Sequence, residues 1–174
     1  MIASILLTMM LLLAVHSDLE GQRIPNPLVA WGALAALAAA MLPGGMGLAP
    51  ALAGLCLGLI ALLPLYALRA LGAGDVKLMA AVGAYVGPQA LPLTLLATFI
   101  AGGLMTMLVC LYRGTAARLL RNVRDMLASA WWRLACREAP LLEPAQLSAG
   151  RMPYALAIAG GAWCQLAHAA WLRP

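Results

Sequence analysis

The sequence predicts an all-α integral membrane protein with about six transmembrane helices and one cytoplasmic amphipathic helix. Of its 174 residues, 64% are hydrophobic and only 10% are charged, whereas soluble domains are about half apolar and a quarter charged. So few polar side chains cannot cover a surface that faces water. Lipid is therefore expected to surround most of the chain, and the length allows one domain over residues 1–174.

Six apolar segments can be marked along the chain. Helices are the only structure expected for them, because the unpaired backbone groups of an open sheet cannot be satisfied in hydrocarbon. The fourth segment has about a dozen residues and would extend only about 18 Å, so neighbouring helices must shelter it. The segments run over residues 1–17, 27–42, 51–71, 75–86, 91–112 and 152–172.

The basic residues predict the orientation in the membrane. Ten of the eleven lysines and arginines lie in or beside the connections that follow the first, third and fifth segments. An even number of crossings puts these connections on one face, and an excess of positive charge marks that face as cytoplasmic. Both termini are then expected outside. The net charge of +5 is concentrated beside membrane segments, so no nucleic-acid partner is indicated.

The connection over residues 113–151 predicts the amphipathic helix. Its apolar residues recur at steps of three and four while the charged residues occupy other faces, and Trp131 and Trp132 suit the headgroup layer. We expect an interfacial helix on the cytoplasmic leaflet, with substrate docking as the alternative. The apolar positions are Leu119, Leu120, Val123, Met126, Leu127, Ala130, Trp131 and Leu134.

The cysteines and histidines do not indicate a metal or another cofactor. The four cysteines are far apart in the sequence, with no C-x-x-C pair and no cluster with histidine. Most fall within apolar runs, where cysteine is usually a small hydrophobic residue. They are Cys56, Cys110, Cys136 and Cys164.

Two of the six acidic residues predict chemistry. Asp18 and Asp75 each lie where a cytoplasmic connection meets an apolar helix. An ionisable side chain at membrane depth costs roughly 2.5–3.5 kcal/mol on insertion scales, so a functional role is the working hypothesis. Both junctions are on the same predicted face. Of the other acids, Glu20 follows the first aspartate, and three belong to the amphipathic connection, namely Asp125, Glu138 and Glu143.

A pair of carboxyl groups at one depth can act as an acid–base dyad. Two carboxyls about 3 Å apart cannot both ionise cheaply, so one keeps its proton. The ionised group takes a proton from water, and the protonated group polarises the carbonyl of the bond to be cut. Their titrations would be coupled. In the alternative interpretation, Asp18 and Asp75 are helix caps or loop charges.

The residues around each aspartate add to this hypothesis. Gly72 and Gly74 precede Asp75, and the lack of a Cβ lets the backbone bend and a substrate strand approach the carboxyl. Lys77 follows, either as a membrane-anchoring charge or as a partner of the substrate or the dyad. After Asp18, the run Ile24-Pro25-Asn26-Pro27 predicts that Asn26 caps the second helix and that Pro27 occupies its first position.

Together these residues resemble the motifs of the bacterial prepilin peptidases, which are membrane aspartic peptidases of the G-x-G-D type. The first motif of that family is an aspartate followed by a basic residue and I-P-N, matched here by Asp18 and by Arg23 to Asn26. The second motif, G-x-G-D-x-K, is matched by residues 72–77. A weaker resemblance is the proline–aromatic step that opens the last segment, in Met152-Pro153-Tyr154-Ala155.

The resemblance implies an aspartic endopeptidase that removes the basic leader from prepilin-like substrates at the cytoplasmic boundary of the bacterial inner membrane. Asp18 and Asp75 would be the catalytic pair, and Gly72, Gly74 and Lys77 would shape the site. Larger members carry a cysteine-bearing insert that this sequence does not have. The chain therefore resembles the short, peptidase-only branch associated with Flp or tight-adherence pili.

Two other interpretations are open at this point. An intramembrane aspartic protease of the presenilin kind would keep the G-x-G-D motif, but it would not have Ile24-Pro25-Asn26. A non-enzymatic membrane component or a small transporter of a secretion or pilus system is the alternative outside the enzymes. A transporter predicts repeated halves and polar residues near the midplane, whereas the acidic residues here cluster at one interface.

Overall fold

The protein is a bundle of α-helices in a computed structural model that describes residues 2–21, 23–67, 71–112 and 154–171, with the single residues 114, 121, 124 and 128. Every regular element in these ranges is a helix, which confirms the all-α class. The helices are α1 (Ile2–Gly21), α2 (Asn26–Ala40), α3 (Leu48–Ala67), α4 (Ala73–Tyr112) and α5 (Tyr154–Trp171). The amphipathic helix predicted for residues 113–151 lies outside the described residues, apart from isolated positions.

The outer surface of the bundle is apolar. Helices α1, α3 and α4 are each long and apolar enough to cross a membrane, and α2 is a shorter apolar helix. Large hydrophobic side chains are exposed along their outward faces, where water would disfavour them and lipid would not. The predicted count of six crossings stays a prediction. The exposed side chains include Ile5, Met9, Leu12, Leu52, Ile60, Leu63, Leu96, Ile100, Leu104 and Leu108.

Helix α4 is two limbs joined at Gly87. Gly87 has φ 77° and ψ 170°, a conformation that glycine adopts far more readily than residues with a Cβ. Pro88 follows and has no N–H to continue the hydrogen-bond ladder. Asp75 on the first limb interacts with Tyr154, and Gly102 on the second limb also contacts Tyr154. The limbs over residues 73–86 and 88–112 are therefore antiparallel, and the predicted fourth and fifth segments lie on either side of the bend.

The first limb of α4 is sheltered by its neighbours, as its length requires. Nearly all of its residues from Val76 to Tyr85 are buried. Helix α3 crosses the first limb at very short range. A Cβ on Gly58 would lie 2.7 Å from the Met79 carbonyl oxygen, and a Cβ on Gly54 would overlap the Gly83 carbonyl oxygen. Small residues four apart allow such close backbone contact between membrane helices.

One end of the bundle collects the ends of four elements. Contacts of Met10 with Gly32 and of Asp18 with Ala155 show that α1 is antiparallel to both α2 and α5. The end of α1, the start of α2 and the start of α4 consequently lie beside the start of α5. The residues of the two predicted motifs, Asp18, 23–26 and 72–77, are at this end, which we call the motif end.

Candidate active site

Asp18 is a buried carboxyl held by the start of another helix. It lies in the last turn of α1, and only 7% of its surface is exposed. Its Oδ2 accepts a hydrogen bond of 3.1 Å from the backbone N–H of Ala155. The first N–H groups of a helix have no carbonyl partner within it, and the helix dipole there stabilises negative charge. The start of α5 therefore compensates the burial of this carboxyl.

Asp75 is held by its own helix. It is the third residue of α4 and is partly buried. Its Oδ2 accepts the Gly72 N–H at 3.2 Å, and the Gly72 carbonyl accepts the N–H groups of Asp75 and Val76. An acidic side chain that reaches back to the N-cap amide is one half of a capping box. Asp75 thus caps α4, as the alternative interpretation expected, and this hydrogen bond orients its carboxyl at the motif end.

The two aspartates come together at the motif end. Asp18 and Asp75 are close enough to interact electrostatically, although they belong to different helices. The Tyr154 phenol also interacts electrostatically with Asp75. Two carboxyls in one partly buried site have the composition that acid–base catalysis with a shared proton requires.

The two sequence motifs contact each other directly. The Ile24 side chain packs on Gly74, where a Cβ would lie 3.3 Å from the Ile24 Cβ. The Lys77 Nζ donates a hydrogen bond of 3.0 Å to the Asn26 side-chain oxygen. An apolar contact and a polar contact therefore join the segment after Asp18 to the segment around Asp75.

The prediction that Asn26 caps α2 is wrong. The N-cap is Pro25, with φ −62° and ψ 128°, and it makes no side-chain cap hydrogen bond. Asn26 is already the first helical residue, and Pro27 is the second rather than the first. The physical reason is that the Asn26 oxygen accepts its hydrogen bond from Lys77 instead of from a backbone N–H in the first turn of α2.

The segment between α1 and α2 is fastened by the residue before Asp18. The Ser17 hydroxyl donates a hydrogen bond of 2.9 Å to the Arg23 carbonyl oxygen. On the face of α1 opposite to Asp18, the His16 Nε2 and the Glu20 Oε1 are 3.6 Å apart, and both side chains are about 70% exposed. Glu20 therefore points away from the buried Asp18.

Gly72 lies beside the Asp75 carboxyl. A Cβ on Gly72 would lie 3.2 Å from the Asp75 Oδ2, so this glycine leaves room beside the carboxyl.

Among the described residues, no three His, Cys, Asp or Glu side chains form a cluster that could hold a metal ion. Cys56, Cys110 and Cys164 are free thiols.

Two groups in the site were not identified as functional from the sequence, namely the Ala155 amide and the Tyr154 ring. A backbone N–H has no signature in a sequence, because every residue except proline carries one. The available signal was the proline–aromatic step at residues 153 and 154, which marks where α5 begins but not what its first amide binds.

Comparison with known proteins gives consistent matches. The model of the type IV leader peptidase family matches residues 5–107, a range that contains both aspartates. A prepilin leader peptidase/N-methyltransferase of Aeromonas hydrophila is 34% identical over 131 residues, and one of Aeromonas salmonicida strain A449 is 33% identical over the same length. Each match covers 70% of this chain and 41% of the relative, so the chain spans about two fifths of the length of these curated relatives. No solved structure matches.

Proposed function

Because this chain belongs to the type IV leader peptidase family, we propose that it is an aspartic-type endopeptidase that removes the basic leader peptide from a prepilin-like substrate. The observation that carries the proposal is the meeting of Asp18 and Asp75 at the motif end, each held by a backbone N–H. Among prepilin-like substrates, the Flp or tight-adherence class is the one that we propose.

Each carboxyl is held by an N–H group at the start of a helix, Asp18 by α5 and Asp75 by α4. Negative charge is therefore stabilised on either carboxyl, and the ionised member of the pair takes a proton from the attacking water. The other carboxyl keeps its proton and donates a hydrogen bond to the carbonyl oxygen of the bond to be cut. Water adds to the carbonyl carbon, and the carbon–nitrogen bond breaks as a proton returns from the dyad to the leaving amine.

The membrane boundary on the cytoplasmic side is the proposed location of this site. Arg23 and Lys77 are exposed at the motif end, beside the aspartates, and positive charge beside a crossing favours the cytoplasm. A basic leader would stay on that side while the hydrophobic helix of the prepilin lies in the bilayer. The bond between the leader and the helix would then be at the depth of the dyad.

Leader removal from a co-expressed prepilin tests the function. The prepilin should have a basic leader that ends in glycine, followed by an apolar helix. We expect its mass to fall by that of the leader when the chain is present and to stay at full length in cells without it. A prepilin that stays unprocessed at every ratio of enzyme to substrate would contradict the proposal.

Thiol labelling tests the orientation. In a variant without the native cysteines, Gly21→Cys and Pro43→Cys place thiols at opposite ends of the bundle. Both positions are exposed, and a Cβ on Gly21 meets nothing within 4 Å. The cysteine at 43 should react with a membrane-impermeant reagent in cells with a permeabilised outer membrane. The cysteine at 21 should react only after the inner membrane is opened, and the reverse pattern would contradict the orientation.

The contact between Lys77 and Asn26 should have a measurable effect on processing. We expect Lys77→Met and Asn26→Ala each to lower the rate about threefold to tenfold, because an exposed hydrogen bond of this kind contributes about 1 kcal/mol. The double variant should be no slower than either single variant, because both lose the same contact. Losses that multiply would mean that Lys77 acts separately, as a membrane anchor or on the substrate.

A further inference from the structure

The start of α5 interacts with both aspartates. The Ala155 N–H binds Asp18, and the neighbouring Tyr154 is within electrostatic range of Asp75. The site is therefore built from three elements rather than from the two that carry the aspartates. The geometry of the third element depends on where α5 begins, because its contribution to Asp18 is a backbone group.

The Tyr154 ring is seated on Gly102 of the second limb of α4. A Cβ on Gly102 would lie 2.9 Å from the Tyr154 Cε2 and 3.4 Å from the Cζ and the hydroxyl oxygen. One edge of the ring thus occupies the space that the missing side chain leaves. The adjacent Gly103 is different, because a Cβ there meets nothing within 4 Å.

The contact of Tyr154 with Gly102 is the last in a row of close contacts between α5 and the second limb of α4. A Cβ on Gly161 would lie 2.9 Å from the Thr94 carbonyl oxygen and would overlap the Thr98 side chain. The adjacent Gly160 faces the next turn of the second limb, where its Cβ would lie 3.7 Å from that of Ala101. The contact of the ring with Gly102 is the one in this row that lies nearest to the start of α5.

The hydrogen bond to Asp18 is sensitive to the position of the first turn of α5. The Ala155 side chain is fully buried, so the amide cannot move without disturbing the packing around it. A hydrogen bond weakens steeply when its angle or length departs from the preferred range. A displacement of about 1 Å in a catalytic site can lower the rate by about two orders of magnitude.

We propose that Tyr154 is a positioning residue, whose ring on Gly102 fixes the start of α5 so that the Ala155 amide holds Asp18 in place. The proposal rests on the proposed peptidase function and adds a third element to its site. The ring acts through its shape, and the hydroxyl is not required. Tyr154 should therefore affect the turnover rate of bound substrate rather than the binding of the substrate.

Kinetics of the purified enzyme on a prepilin test the proposal. Tyr154→Phe keeps the ring and should process substrate within about twofold of the unaltered rate. Tyr154→Ala and Gly102→Ala should each lower kcat roughly 10- to 100-fold with little change in KM. Gly103→Ala is the matched control for Gly102→Ala, and its kcat should not change, because the new methyl has open space and alanine favours the helix.

Three further outcomes test whether the Tyr154 ring acts by positioning α5. The double variant with Gly102→Ala and Tyr154→Ala should be no slower than Tyr154→Ala, because the new methyl meets no ring in it. If Tyr154→Phe loses as much kcat as Tyr154→Ala, the hydroxyl acts directly and the positioning role is wrong. If Tyr154→Ala raises KM and leaves kcat unchanged, the ring contacts substrate and the proposal is equally overturned.

Hydrogen exchange separates this proposal from the peptidase function. Amide exchange in the peptide that begins α5 should be faster in Tyr154→Ala and Gly102→Ala than in the unaltered protein, and unchanged in Tyr154→Phe and Gly103→Ala. This measurement needs no substrate. Unchanged exchange in all four variants would refute the positioning role even in an active enzyme, whereas the expected pattern in an inactive protein would refute only the peptidase function.

Discussion

Asp18→Asn and Asp75→Asn are each expected to lower leader removal by roughly 10³-fold or more, which in a co-expression assay is complete loss. An amide can neither take a proton from water nor return one to the leaving amine. The fold should survive both changes, because the asparagine oxygen can still accept the hydrogen bond from Ala155 or from Gly72. The measurement is the ratio of processed to full-length prepilin at equal amounts of membrane-inserted enzyme.

Glu20→Gln is the matched control for the aspartate variants. Glu20 is two residues from Asp18 in the same helix, but its exposed side chain faces His16. Removing its charge should leave processing unchanged, because an exposed ion pair contributes little. Substantial processing by either aspartate variant would rule out the dyad and would mean that other residues of this chain carry out the cleavage.

Gly54→Ala should have the largest effect on stability. Its new Cβ would overlap the Gly83 carbonyl oxygen on the first limb of α4, and a backbone atom cannot move aside as a flexible side chain can. Overpacking of this kind costs about 1–3 kcal/mol, which for a chain of this length corresponds to a fall of roughly 2–12 °C in Tm. Thermal unfolding of the purified protein in detergent measures the change.

Gly103→Ala provides the comparison for stability as well. It makes the same chemical change inside a helix, but its Cβ meets nothing within 4 Å. It should be neutral or should stabilise the protein by about 0.5–1 kcal/mol, because alanine is the better helix former. Equal Tm values for Gly54→Ala and Gly103→Ala would mean that α3 and the first limb of α4 are not in close contact.

Several features of the fold could be predicted because they depend on local composition. Apolar runs of sufficient length predict helices in lipid without any knowledge of their neighbours. The same reasoning correctly predicted two segments within α4, because the predicted segments over 75–86 and 91–112 lie on either side of Gly87. The candidate aspartates could be selected because so few acids interrupt these runs. A rare charged side chain beside an apolar helix is conspicuous in the sequence alone.

The sequence by itself thus determined that lipid surrounds the chain, that its elements are helices, and that Asp18 and Asp75 are the carboxyls of the candidate site. The tertiary structure alone decided what holds them: the Ala155 amide on Asp18, and Lys77 on the Asn26 oxygen that was expected to cap α2. The physical reason is that these partners are far apart in the chain and one of them is a backbone group. Periodicity and composition describe how each helix faces lipid, whereas the choice between competing hydrogen-bond partners is made only when the helices pack.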